Sequence, residues 1–584
     1  MTAKMIKRLS KCIREYKTLT LLTPLFMSLE VSMEVFIPML MGKLIDNGIY
    51  KTDTDYVVKI GLLLLVLCSF SLFAGVAGGI TAAKASSGFA KNLRHDMFHN
   101  IQGFSFANID KFSTSGLVTR LTTDVTNLQN SFQMIIRIAV RSPAMLLFSL
   151  GMALSINPKV SLVFVGIIPF LALALGFIVS KAHPIFKRVF KTYDRLNNVV
   201  NENLHGIRVV KSFVRENEEK KKFGAVSDKI YSDTKKAEGI IAFNSPVMQF
   251  SSYLCMILIA WFGANLIIKT NAVDMTTGDL FSLINYTMQI LMNLMSLSMI
   301  FVMLTMSRAS GERVCEVLNE KSDLHSPENA LYEVADGSVE FIGAGFSYSS
   351  DKDKLCLKDV NIKIESGETV GIIGSTGSSK TTFVQLIPRL YDVTEGSVKV
   401  GGRDVREYDL DTLRNEVAMV LQKNVLFSGT IKENLRWGNE NATDEEMLEA
   451  CRLAQADPFI SEMEEGYDTY IEQGGTNVSG GQKQRICIAR SLLKKPKILI
   501  LDDSTSAVDT KTDALIRQAF REYIPETTKI IIAQRISSIE GADKIIVLDD
   551  GKVAAFGTHS ELLESSEIYR EVYLSQTKGG EDNE

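Results

Sequence analysis

Six apolar stretches, roughly residues 19–46, 56–83, 132–155, 160–180, 240–268 and 279–305, decide what the first half of this chain can be. Each is long enough to cross a hydrocarbon core about 30 Å thick as a helix. Hydrophobic residues make up 46% of the 584 positions, yet 23% are charged, so a membrane-embedded half joined to an ordinary soluble half is expected. A chain this long exceeds one compact core, and at least two domains follow.

Basic residues orient the first half. Met1 to Lys17 carries Lys4, Lys7, Arg8, Lys11, Arg14 and Lys17, with Ile6, Leu9, Ile13 and Tyr16 between them at helical spacing. That pattern reads as an amphipathic helix on the inner membrane surface. The apolar stretch behind it is too long for a signal peptide's core and lacks a small-residue cleavage site. The connections 84–131 and 181–237 are long and basic, whereas 47–55, 156–159 and 269–278 are short and poorly basic. The positive-inside rule puts both termini and both long connections in the cytoplasm. The long connections read as helices that continue well beyond the bilayer.

Several residues within the spans stand out. Met288, Met292, Met295, Met299, Met303 and Met306 lie on one helical stripe, a flexible and polarizable face suited to varied apolar ligands or to ordinary helix packing. Glu30 and Glu34 share a face of the first span, and Arg137 and Arg141 share one on the third. Charges at that depth face a cavity or each other. A net charge of −4 gives no support for a nucleic-acid partner. The seven cysteines show no C-x-x-C pairing, which argues for a reducing compartment and against a zinc site.

The texture changes after a polar break at Ser326-Pro327-Glu328-Asn329. The reading divides the chain into a membrane domain at 1–310, a linker at 311–337, a soluble α/β domain at 338–576 and a disordered tail at 577–584. Short apolar runs at 339–341, 360–364, 370–373, 498–501 and 530–533 read as strands between helices, an α/β pattern. Gly371 to Thr382, GIIGSTGSSKTT, follows one such strand and opens a helix, the context of a phosphate-binding loop. Its amides and the helix N-terminus would point positive charge at phosphate. Lys380 would reach the outer phosphates, and the Thr381 hydroxyl would ligate Mg²⁺. Ser379 stands where the pattern has its last glycine. Asp502 ends the buried run Ile498–Leu501, as a Mg²⁺-holding partner of such a loop should.

Between these motifs sits VSGGQKQR at 478–485, which resembles the signature of ATP-binding cassette (ABC) transporters. The resemblance covers nearly the whole chain and implies a half-transporter of the exporter type: six all-α membrane helices, then one α/β nucleotide-binding domain. It implies that Tyr348 stacks on adenine and that Gly374, Ser375, Thr376, Gly377, Ser378, Ser379, Lys380, Thr381 and Thr382 hold ATP. It also assigns Gln422 to Mg²⁺ contact, alongside Thr381 and Asp502. Ser479, Gly480, Gly481 and Gln482 would complete the site of a partner chain, and Ser506 to Asp509 match the D-loop.

The departures carry further expectations. Asp503 replaces the glutamate that polarises the attacking water, Ser504 replaces a proline, Gln534 replaces the switch histidine and Gln473 replaces an acidic residue before the signature. Asp draws the carboxylate back by about 1.5 Å, one bond length. Gln534 cannot carry the charge a histidine can. ATP binding should survive while hydrolysis slows, with Asp503 and Gln534 the catalytic positions affected. The expectation is a heterodimer with a second half-transporter, exporting an amphiphilic small molecule, drug or lipid across the plasma membrane. The alternative is a membrane regulator switched by ATP binding without pumping. A leader-cleaving peptide exporter is disfavoured because residues 1–17 leave no room for a protease domain, and an importer because both halves are fused in this order.

Overall fold

In a computed structural model the chain is described at residues 3–349, 351–503 and 508–581. It forms two compact units, residues 1–102 with 113–320, and residues 103–112 with 321–584.

The first unit is helical, and among the described residues six helices are long and apolar enough to cross a membrane, at Lys4–Ile49, Thr54–Gln102, Thr114–Ile156, Pro158–His205, Glu216–Thr270 and Thr277–Leu297. The helix Thr54–Gln102 has 49 residues. At about 1.5 Å per residue it is about 73 Å long, more than twice the thickness of a hydrocarbon core. Local sequence sets its neighbours' ends. Asn157 caps the helix Pro158–His205 by accepting from the Lys159 and Val160 amides, with proline in the first turn where its missing N–H costs nothing. Thr276 and Asp279 form a capping box on the last helix, which runs Thr277–Asn319.

The N-terminal segment departs from a single amphipathic helix. A helix at Ala3–Ser10 gives way to a 3₁₀ turn at Lys11–Tyr16, broken at Arg14. Met5, Leu9 and Cys12 are buried, whereas Ile6 is 53% exposed. The inward face is therefore the 5–9–12 stripe, and Arg8 donates to the Leu318 carbonyl at 2.9 Å.

Deeper in the unit, Val35, Met145, Phe164, Ile259, Leu283 and Tyr286 share one apolar cluster. The Tyr286 hydroxyl donates to the Val35 carbonyl at 2.7 Å. The acidic and basic faces noted in the spans meet there: Arg141 lies 2.7 Å from Glu34 and 3.6 Å from Glu30. Arg137, one turn away, is exposed and has no ion pair among the described residues. The seam between the third and last helices is polar. Arg313 grips the buried Asp124 through Nε at 2.7 Å, and Ser131 meets Ser307. Met288, Met292, Met295 and Met299 are exposed on the last helix, and the side chain of Met306 lies outside the described residues.

The second unit has an antiparallel sheet and a larger, mainly parallel one. The first holds β1 (Val339–Phe346), β2 (Leu357–Ile364), β4 (Glu395–Val400) and β5 (Arg403–Asp404), in the order β2-β1-β4-β5. The second is ordered β12-β11-β3-β10-β9-β6. Its strands are β3 (Thr369–Gly374), β6 (Val417–Val420), β9 (Ile498–Asp502), β10 (Thr528–Ile532), β11 (Lys544–Asp549) and β12 (Lys552–Gly557). A two-stranded ribbon, β7 (Gly429–Thr430) with β8 (Tyr470–Ile471), lies outside both. β9 and β10 are buried at every residue, as continuous apolar runs in a parallel sheet require. Phe341 of β1 stacks on Phe383 at 4.2 Å, fixing the short helix after β3 against the antiparallel sheet.

Candidate phosphate-binding site

β3 ends at Gly374 and the helix Lys380–Gln385 begins six residues later. Gly374 is required by space, since a Cβ there would lie 2.1 Å from the Leu548 carbonyl oxygen. Gly377 turns the loop with φ of 87°. Ser379, at the position of the pattern's last glycine, is forced into the left-handed region at φ 69°, ψ 28°. Ser375, Thr376 and Gly377 are exposed, whereas Ser378 and Thr382 are buried. Lys380 folds back on the loop, its Nζ 2.8 Å from both the Gly374 and Ser375 carbonyl oxygens. Burial lowers the pKa of this ammonium, against the pull of Asp503 and Asp502.

Three adjacent strands supply the opposite wall. β10, β9 and β6 are neighbours, with Ile532 beside Asp502 and Val420 beside Leu501, so their carboxyl ends open at one level. Open α/β sheets place their ligands at that end. The Thr381 hydroxyl donates to Asp502 Oδ1 at 3.1 Å. Asp502 is 2% exposed, and burial is the main cause that raises its pKa; the Thr381 hydrogen bond opposes this, Asp503 adds to it and Lys380 opposes it.

Asp503 sits just past β9 with φ of 48°, its amide donating to the Ile532 carbonyl at 3.1 Å. Gln534, past β10, donates through Nε2 to Asp503 Oδ2 at 2.6 Å. Gln422, past β6, donates to the same oxygen at 3.3 Å. The two glutamines and the aspartate therefore form one hydrogen-bonded group beside the loop.

Thr381 and Asp502 offer two hard oxygens side by side, and Gln422, hydrogen-bonded to the adjoining Asp503, brings a carboxamide. That donor set fits Mg²⁺, which takes one or two protein ligands and completes its shell from phosphate and water. Among the described residues no group of three or more His, Cys, Asp or Glu side chains is placed to hold a metal alone.

Tyr348 borders the loop: its hydroxyl lies 2.9 Å from Thr382 Oγ1, and burial raises its pKa. The ring meets Phe346 and Tyr391 at near-right angles, at 4.9 and 5.3 Å, and the residue is 54% exposed. Tyr391 had no signal in the sequence; its hydroxyl donates to Asp110 at 2.8 Å, 281 positions away. Ser479–Gln482 stand apart. Ser479 caps the helix Gly480–Leu492 in a capping box with Gln482, and Ser479 and Gly480 are exposed. Among the described residues no hydrogen bond joins 479–482 to 374–382. Gln473 is exposed, and Ser504, Ser506 and Ala507 lie outside the described residues.

Comparison with known proteins accounts for both halves. Residues 21–295 match the family described as the ABC transporter transmembrane region, and residues 357–506 match the family described as ABC transporter. The chain is 37% identical over 564 residues to the uncharacterized ABC transporter ATP-binding protein YfiB of Bacillus subtilis, covering 97% of each chain. It is 34% identical over 570 residues to an uncharacterized ABC transporter ATP-binding protein of Mycobacterium tuberculosis, again 97% of each. YfiC of Bacillus subtilis is 30% identical over 575 residues, 98% of this chain and 94% of its own. The chain belongs to the ABC transporter family, with a multi-pass membrane domain and an ABC ATPase domain in one polypeptide.

Proposed function

We propose that this chain is one half of an ATP-driven exporter, paired with a second ABC half-transporter, and that its own ATP site binds nucleotide but hydrolyses it poorly. The observation that carries the reading is the engagement of Asp503 Oδ2 by Gln534 at 2.6 Å and Gln422 at 3.3 Å. A general base must come within about 2.6–3.2 Å of the proton it removes. Here the carboxylate is one methylene short and already points its lone pairs at two amides.

The binding parts are complete. Lys380 would exchange the Gly374 and Ser375 carbonyls for outer phosphate oxygens, and the exposed loop from Ser375 to Gly377 would wrap the phosphates. Ser378, Ser379 and Thr382 would hold the loop's shape, and Tyr348 would stack on adenine. Thr381, Asp502 and Gln422 would hold Mg²⁺, which would supply positive charge to the bound phosphates. The exposed N-terminus at Ser479–Gln482 would close over the nucleotide of the partner, whose site would do most of the hydrolysis.

Two surfaces support a partner and an amphiphilic substrate. Around the short helix Ile207–Ser212, Val209, Phe213 and Val214 are 59%, 71% and 79% exposed, an apolar tip suited to a second chain. The exposed methionines Met288 to Met299 offer an adaptable apolar face for a drug or lipid at the plasma membrane. Purified alone in lipid nanodiscs, the chain should bind ATP and show little ATPase activity. Co-purification with a second half-transporter should restore turnover and ATP-dependent transport in vesicles. Robust turnover by a verified homodimer would refute the heterodimer.

A further inference from the structure

The C-terminal helix Glu567–Glu581 reaches the switch position. Its root is fixed: Tyr569 is fully buried, its hydroxyl lies 2.7 Å from His559 Nδ1, and Val572 and Tyr573 pack on the same core. Two turns along that face from Tyr569 comes Gln576. Its Oε1 accepts from the Ile536 amide at 2.8 Å, and its Nε2 donates to the Gln534 carbonyl at 2.9 Å. One carboxamide thus pairs with residues 534 and 536 as a neighbouring strand would. The far side of this turn is held separately, by Arg517 on the Ser537 carbonyl at 2.9 Å and by Asp513 accepting from Ser538 at 3.1 Å. Removing the Gln576 carboxamide therefore frees the near side, which carries Gln534, and leaves the rest of the turn anchored.

We propose that Gln576 is a positioning residue that sets the Gln534 backbone, so that the C-terminal helix helps this chain's site distinguish ATP from ADP. The inference rests on the ATP site proposed above and adds that Gln534, at the switch position, faces the γ-phosphate. The physical reason is reach: displacement of a contacting group by about 1 Å is enough to cost a large part of its effect. Gln576 is the last link of a chain that runs from the helix through Gln534 to Asp503 and on to Gln422.

The test uses the full-length chain in nanodiscs, photolabelled with 8-azido-ATP and competed with ATP or ADP, with Lys380→Ala as the blank. Gln576→Met keeps length and helix propensity but removes both hydrogen bonds. Gln576→Glu keeps the acceptor for Ile536 and loses the donor. Gln534→Ala should lower the preference for ATP over ADP by about tenfold, equivalent to about 1.4 kcal/mol. Gln576→Met should lower it by a similar factor, Gln576→Glu by less, and the Gln534→Ala, Gln576→Met double variant no further than either alone. Wild-type preference in Gln576→Met, or factors that multiply in the double variant, would overturn the proposal. If Gln534→Ala lowers the preference and Gln576→Met does not, the inference alone fails. If Gln534→Ala leaves it unchanged, the assignment of Gln534 to the γ-phosphate fails and the inference falls with it.

Discussion

On the function proposed above, changing Asp503 to Glu and Gln534 to His together should give a site that hydrolyses ATP, and either change alone should fall short. The structure sets the reason. Asp503 Oδ2 lies 2.6 Å from Gln534 Nε2. Extending the carboxylate by one carbon–carbon bond, about 1.5 Å, leaves about 1.1 Å along that line. A glutamate at 503 that kept its carboxylate on this line would displace Gln534, so the two positions should change together. Once both are replaced, the recovered general base should raise turnover by about 10²-fold, the lower end of its usual 10²–10⁴ contribution. That factor corresponds to about 2.7 kcal/mol off the barrier. The measurement is kcat at saturating Mg²⁺-ATP of the chain co-purified in nanodiscs with its second half-transporter, whose own ATP site has been inactivated, with nucleotide occlusion followed in parallel. An unchanged kcat in the double variant would show that these residues do not limit the site. A full gain from Asp503→Glu alone would refute the steric argument.

Three further outcomes follow from the same structure. Because burial raises the Asp502 pKa, the fold favours its protonated form, and its contribution to stability is present at acid pH and lost as pH rises through the raised value. Asp502→Asn should therefore raise the nucleotide-free thermal midpoint at neutral pH, an increment that vanishes below the ordinary value of 3.8, while Mg²⁺-dependent nucleotide binding is lost. Ser379→Gly relieves about 1–2 kcal/mol of left-handed strain and adds about 0.4–1 kcal/mol of unfolded-state entropy. It should stabilise the nucleotide-free protein slightly in thermal melts and leave ATP binding intact. Asp124→Asn weakens a grip by Arg313 on a side chain only 1% exposed, and a hydrogen bond to a charged group contributes about 1.5–3 kcal/mol. Thermal midpoints of Asp124→Asn, Arg313→Met and the double variant should show coupling between the two sites.

What was legible from sequence was whatever is local in the chain. Apolar length announces the spans, because a bilayer imposes a minimum run of residues. The strand–loop–helix order around Gly374 and Lys380 announces a phosphate loop, and Asp502 at the end of an apolar run is the natural opposite wall; the 3.1 Å from Thr381 joins them across 121 positions. Shared faces were visible too, but not their partners. Glu34 and Arg141 are 107 positions apart, and helical periodicity cannot say which two faces meet. The N-terminal stripe shows the same limit within a single helix: Ile6 and Met5 are adjacent and both apolar, and only packing decides that Met5 goes in. Gln576 and Tyr391 left no trace, because a side-chain amide closing on a distant backbone, or a phenol meeting Asp110, has no periodic or compositional signature.

The site's own energetics support the proposed holding of nucleotide. It places a desolvated ammonium at Lys380, a desolvated carboxylate at Asp502 and left-handed backbone at Ser379, each unfavourable in isolation. Phosphate and Mg²⁺ would offset the first two directly, by giving the buried charges opposite charges to meet. Asp503 differs in kind. Its Oδ2 is already served by two amides from within the chain, so a water placed there for attack would compete with hydrogen bonds already made. On the function proposed above, ligand binding would relieve this site and hydrolysis would compete with its internal hydrogen bonds, the asymmetry expected of a slow clamp.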